Sequence, residues 1–149
     1  MYRYIIPPRA VPRSDRRYME ILAQAVFQAG FSWEVVRSKW PGVRRAFRNF
    51  DLDAVARLGP GDAARILSDP GVVRNRRKVA ATIENARILR ALARRHGSVR
   101  AYVASLRPLP YGEKVGVLSR TFRFLGPTGV YFFLWCAGED VPEWEERVP

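Results

Sequence analysis

The stretch Leu67-Ser68-Asp69-Pro70-Gly71-Val72-Val73-Arg74-Asn75-Arg76-Arg77-Lys78-Val79-Ala80 has the form of two helices joined by a hairpin. An apolar helical pattern ends, Asp-Pro-Gly marks a tight turn, and a longer helical pattern begins beside Arg74, Arg76, Arg77 and Lys78. Physically this is a cradle for phosphate. A helix N-terminus favours an anion, the turn N–H groups of Gly71, Val72 and Val73 can reach its oxygens, and the adjacent bases add Coulomb attraction. Such contacts grip a nucleic-acid backbone without reading its sequence. The plainer alternative is an ordinary helix corner with a solvated basic face.

Outward from this element, most of the chain reads as short helices punctuated by Gly, Pro or Asp, so an all-α fold is expected. Ser14 can cap a helix whose apolar residues Tyr18, Ile21, Leu22, Ala25, Val26 and Ala29 recur at helical spacing, with Gly30 ending it in a left-handed turn. Ala25 falls on the inward face of that helix. Ser32 can cap a short helix from Trp33 to about Lys39, after which Pro41 permits a new start through Val43, Phe47 and Phe50. Asp51 caps residues 52–58, and Gly59-Pro60-Gly61 breaks that helix before residues 62–67. A long helix is expected from Arg76 to His96, stopped by Gly97, and Ser98 then caps a helix to Leu106, followed by a Pro108–Pro110 linker. The run Val130 to Trp135 is rich in residues that favour strands, yet Pro127 and Gly138 bracket it as a buried helix. One helical domain over residues 1–149 is expected, with an extended arm at 1–13 and an acidic tail at 139–149 anchored by Trp144.

Composition narrows the function. At 149 residues, 48% hydrophobic and 27% charged, the chain has the make-up of a globular protein and not of a disordered one. Its longest apolar run, Val130 to Ala137, is far short of the ~20 residues of a membrane span. Arg3 and Arg9 flank prolines with no apolar stretch of signal-peptide length, so a cytoplasmic location and no membrane partner are expected. The 26 bases against 14 acids give a formal charge of +12, which suits a polyanion partner. Cys136 and His96 stand alone of their kinds, so no internal disulfide can form and at most two of the four usual zinc ligands are at hand. No metal and no cofactor are expected.

A second constellation is Gln28-Ala29-Gly30-Phe31-Ser32-Trp33, a helix corner with an indole in the first turn of the next helix. By itself such an indole is more often simply core. Beside a phosphate cradle it has another use. An enzyme that inspects a damaged base must pull it from the stack, at a cost of a few kcal/mol, and hold it against aromatic faces.

The runs QAGFSWEVVRSKWPGVRRAFRNFDLDAVA and ILSDPGVVRNRRKVAATIENAR, followed by RFLGPTGVYFFLWCAG, together resemble the bacterial DNA-3-methyladenine glycosylase I family of the helix-hairpin-helix glycosylases, over roughly residues 11–138. The resemblance implies an all-helical, monomeric glycosylase that flips alkylated purines of the 3-methyladenine type out of duplex DNA and excises them without lyase chemistry. It implies a base pocket of Trp33, Tyr4, Phe31 and Gln28, with Trp33 stacking on the base and Tyr4 matched by counting back from Val11-Pro12. The DNA-gripping segment would be Gly71, Val72, Val73, Arg74, Arg76, Arg77 and Lys78.

Two kinds of departure stand out. Ile5 occupies the place of a zinc-binding histidine and the tail has no His or Cys, so a zinc-free variant is expected, its termini held by acidic tail residues and Trp144. Ala25 stands where the family has a glutamate that contacts the base, so no catalytic residue is assigned. Glu34, the acid next to Trp33, points about 100° away round the helix. Catalysis can survive this loss in principle. Adenine methylated at N3 already carries positive charge, and an aromatic face attracts that cation by ~2 kcal/mol when desolvated. The competing reading, which Ala25 favours, is a non-catalytic helix-hairpin-helix DNA-binding protein that senses damaged bases.

Overall fold

The computed structural model describes residues 9–30 and 33–149, and within these every regular element is helical. Helix α1 (Asp15–Gln28) starts where expected: the Ser14 hydroxyl accepts the Arg17 N–H at 3.2 Å, and Gly30 takes up the left-handed conformation (φ 80°) that turns the chain. Every residue from Tyr18 to Gln28 is buried, which makes α1 the central element. Helices α2 (Trp33–Ala46), α5 (Arg76–His96), α6 (Val99–Ser105) and α8 (Pro127–Cys136) pack around it. Helices α3 (Leu52–Ala56) and α4 (Pro60–Ser68) lie on α5, and α7 (Tyr111–Thr121) lies on α8.

Local chemistry accounts for most boundaries. Asp51 caps α3 through Ala54 N–H (2.9 Å), Asn75 caps α5 through Lys78 N–H (3.1 Å), and Ser98 caps α6 through Ala101 N–H (3.0 Å). Helix α5 runs over the expected residues and stops at Gly97, whose φ is 97°. In α8 the strand-favouring run is helical because Pro127 opens it and all its central residues, Val130 to Leu134, are buried on every side.

Three segments differ from the sequence expectation. Pro41 does not restart a helix: α2 runs through it. A proline in a helix interior costs about 3 kcal/mol. Burial of Trp40, Val43 and Phe47 on the two sides of it offsets that cost. The break at Gly59-Pro60-Gly61 is present but shifted: α3 ends at Ala56, Gly59 is the N-cap of α4, its N–H bonded to Asp62 Oδ2 at 2.8 Å, and Pro60 already occupies the first turn, where its missing N–H costs nothing. The segment after Pro110 carries a helix, α7, that no capping signal announced.

The hairpin is seated by backbone contact. A Cβ placed on Gly42 of α2 would run into the carbonyl of Gly71 in the hairpin turn, so the two chains approach as closely as glycine permits. Gly42→Ala is therefore expected to push the hairpin off α2, lowering stability by about 1–3 kcal/mol. Thermal unfolding measures this, and an unchanged midpoint would show that the turn relaxes freely.

Candidate functional site

The α1–α2 corner and the α4–α5 hairpin meet. Lys78, in the first turn of α5, is only 1% exposed, and its ammonium donates to the carbonyls of Phe27 (2.9 Å) and Ala29 (2.6 Å) at the C-terminal end of α1. Carbonyls in the last turn of a helix run short of intrahelical donors, and a cation is a natural group to satisfy them. Burial lowers the Lys78 pKa, an effect the two acceptors oppose. Lys78 is thus a strut under the corner, which corrects its reading as a DNA-facing base. The helical period held the signal: Lys78, Thr82, Asn85 and Leu89 form one buried stripe.

The hairpin turn is also self-contained. Asp69 accepts the Gly71 N–H on its carboxylate (2.7 Å) and the Val72 N–H on its carbonyl (3.2 Å), and the Val72 side chain is fully buried. The Gly71 and Val72 amides expected to meet phosphate are therefore engaged within the turn, and Val73 is half-buried. Arg74, Arg76 and Arg77 do stand exposed on the outer side of the hairpin.

Trp33 opens α2 and is buried, with ring centroids 6.1 Å from both Trp40 and Phe132. Both neighbours are tilted, by 53° and 46°, so neither of these two rings stacks flat on the indole. Gln28 is buried, and its carboxamide oxygen has no hydrogen-bond partner among the described residues. Tyr4, Ile5 and Phe31 lie outside the described residues. Ala25 is 1% exposed and sits in the core cluster, and Glu34 is exposed.

Two buried polar groups escaped the sequence reading. Glu20 accepts from Trp40 Nε1 (3.0 Å), Arg44 Nε (2.8 Å) and Arg17 (2.6 Å), tying α1 to α2 beneath the indoles. Burial alone would raise its pKa; the hydrogen bonds from Trp40, Arg44 and Arg17 outweigh that and hold it below the usual carboxylate range. Gln24, one turn from Gln28, is 3% exposed, and its carboxamide oxygen also lacks a partner among the described residues.

The residues present do not fit the zinc of the resemblance. Burial pushes the Cys136 thiol up to about 12, the ring of His96 meets Tyr102 edge-on at 5.3 Å, and no group of three or more His, Cys, Asp or Glu among the described residues could hold a metal ion. Side-chain contacts tie Arg9 to the end of α8 and anchor the segment that follows it. The Arg9 guanidinium lies over Trp135 (4.5 Å) and donates to the carbonyls of Trp135 (3.1 Å) and Glu139 (2.7 Å). Arg107 grips the buried Glu139 carboxylate in a bidentate pair (2.9 and 3.0 Å), while Trp144 packs edge-on against Tyr131 at 5.3 Å.

A profile described as Methyladenine glycosylase matches residues 9–115, which take in both the corner and the hairpin. The chain belongs to the methyladenine glycosylase family. DNA-3-methyladenine glycosylase 1 of Escherichia coli (strain K12) is 37% identical over 78 residues, which are 52% of this chain and 42% of that protein. DNA-3-methyladenine glycosylase of Haemophilus influenzae is 28% identical over 130 residues, 74% of this chain and 70% of that one. The chain thus spans less than half the length of the first of these relatives and about two-thirds of the second. A crystal structure of 3-methyladenine DNA glycosylase I superposes with a TM-score of 0.72 at 27% identity, covering 89% of this chain and 81% of the other. The Staphylococcus aureus structure gives 0.78 at 23% identity, with 87% and 79% covered, and shares the fold. No helix among the described residues is long and apolar enough to cross a membrane.

Proposed function

We propose that this member of the methyladenine glycosylase family excises alkylated purines of the 3-methyladenine type from duplex DNA. The observation that carries the reading is the Lys78 strut, which locks the corner bearing Trp33 to the hairpin bearing Arg74, Arg76 and Arg77. A backbone grip and a base-stacking indole fixed in one frame are what extraction of a base requires. One corner and one hairpin serve one lesion, so a monomer suffices, and the work is assigned to the cytoplasm. Within this reading Trp33, Gln28, Tyr4 and Phe31 line the pocket, and catalysis relies on the lability of the charged substrate and on aromatic attraction rather than on a carboxylate at position 25.

Incubation with methylated duplex DNA should release 3-methyladenine or a related cationic purine. Replacing Arg74, Arg76 and Arg77 together by alanine should weaken DNA binding and flatten the log–log salt slope by about 0.9 for each phosphate no longer neutralised. An unchanged slope would remove the hairpin from the interface. The second reading, a sensor of damaged bases without catalysis, is favoured by Ala25 itself, whose methyl group offers nothing to a reacting base. Tight binding to methylated DNA with no released base from any alkylated substrate would decide for it.

A further inference from the structure

Buried amide oxygens without donors are rare and costly, at roughly 1–3 kcal/mol each. Among the described residues helix α1 carries two of them one turn apart, on Gln24 and Gln28. Their direction follows from the helix. At about 100° per residue, Phe27 lies within about 20° of Glu20, whereas Tyr18 and Ala25 lie about 140–160° round from it. Glu20 and Phe27 face α2, the first by its bond to Trp40 and the second by ring contacts with Trp40 (6.1 Å) and Phe47 (6.0 Å). Tyr18 faces α8, through Phe133 at 6.4 Å. Gln24 and Gln28, at about 40° and 80°, project into the sector between α2 and α8. Trp33 links the same two helices, its ring centroid 6.1 Å from Trp40 of α2 and 6.1 Å from Phe132 of α8.

Two unused acceptors and an indole without a flat stacking partner among its described neighbours therefore share one wedge of the fold. A flat ring with a donor on its edge would satisfy all three, and adenine has such a donor in its exocyclic amino group. Resting on the glycosylase reading above, we propose that Gln24, with Gln28 beside it, is a specificity-determining residue that accepts a hydrogen bond from the exocyclic amino group of the extracted base. A carboxamide reads the amino edge without contributing charge, so this pocket selects adenine by its edge and leaves the cation to the aromatic faces. A site built to bond a donor rejects the analogue that lacks it, because its own acceptor is then left buried and unpaired.

The test compares 3-methyladenine with 3-methylpurine, the same ring without the amino group, by titration against tryptophan fluorescence. The native protein is expected to prefer 3-methyladenine by about tenfold. Gln24→Met, close in shape and free of acceptors, should bind the two within about twofold of each other, and Gln24→Glu, which keeps an acceptor, should retain the preference. Circular dichroism checks that each variant is folded, and the native comparison of the two bases needs no variant. A preference that persists in folded Gln24→Met, or a native protein that does not discriminate, overturns the proposal. Base release from methylated DNA separates the two levels: release without discrimination sinks this inference alone, and neither release nor binding sinks the glycosylase reading with it.

Discussion

Trp33→Ala is expected to lower base release from methylated DNA by tenfold or more while leaving the affinity for undamaged duplex within a few-fold of native. Stacking of a base on an aromatic side chain contributes roughly 1–3 kcal/mol, and that contribution vanishes when the indole is removed. In the proposed reading the phosphate contacts arise elsewhere, on exposed Arg74, Arg76 and Arg77, so the grip on DNA should persist. The same ring is also core, packed against Trp40 and Phe132, and truncating such a residue costs about 3–5 kcal/mol of stability. Trp33→Phe separates the two roles, since it keeps an aromatic face and most of the packing. Single-turnover release should then fall in the order native, Phe, Ala at a temperature where all three are folded. Equal rates for native and Ala would exclude Trp33 from the pocket.

Removing the Glu20 carboxylate is expected to lower stability through lost polar contacts rather than lost packing. Glu20→Ala leaves the Trp40 indole N–H buried without its acceptor and frees Arg17 and Arg44, at a cost of about 2–3 kcal/mol. The pH dependence has a definite sign. Because the folded pKa is held below the unfolded value, the ionised carboxylate stabilises the fold fully at pH above the normal glutamate range, and this contribution is lost as pH falls through the depressed folded value. Glu20→Gln should therefore melt below the native protein at pH 7 and approach it under acid. A constant gap in melting temperature from neutral to acid pH would show that Glu20 does not titrate with folding.

The elements whose ends are set by local chemistry were legible in the chain. Ser14, Asp51, Asn75 and Ser98 each accept an N–H three residues on, a bond that depends on nothing distant, and Pro127 and Gly97 act through their own backbone preferences. Where a long-range contact outweighs the local preference, the sequence misleads. Pro41 marks a boundary by its own propensity, yet burial of Trp40 and Val43 carries α2 past it. Helix α7 starts at Pro110 without a side-chain cap, and its Val115 and Leu118 find their purpose only in the core.

The candidate site divides in the same way. Trp33 and the arginines at 74, 76 and 77 could be named as candidates from motif and spacing, because the proposed stacking and phosphate contacts ask only for a residue type at a helix corner or turn, whereas the burial of Trp33 is decided by its neighbours. Lys78 stands in a run with Arg76 and Arg77 that composition cannot subdivide, and only its reach to the carbonyls of Phe27 and Ala29, about fifty positions earlier in the chain, shows that it supports the corner. Glu20 and Gln24 likewise look like ordinary polar residues on an amphipathic helix. It is the packing of α2 and α8 against opposite sides of α1 that withdraws water from both, which leaves Glu20 bonded to Trp40 and Gln24 with an acceptor to spare. Sequence alone determined most of the helix ends and a net charge that suits a polyanion; tertiary burial decided which polar groups became bonded structure and which kept an unused acceptor, because desolvation is a property of the neighbours and not of the residue.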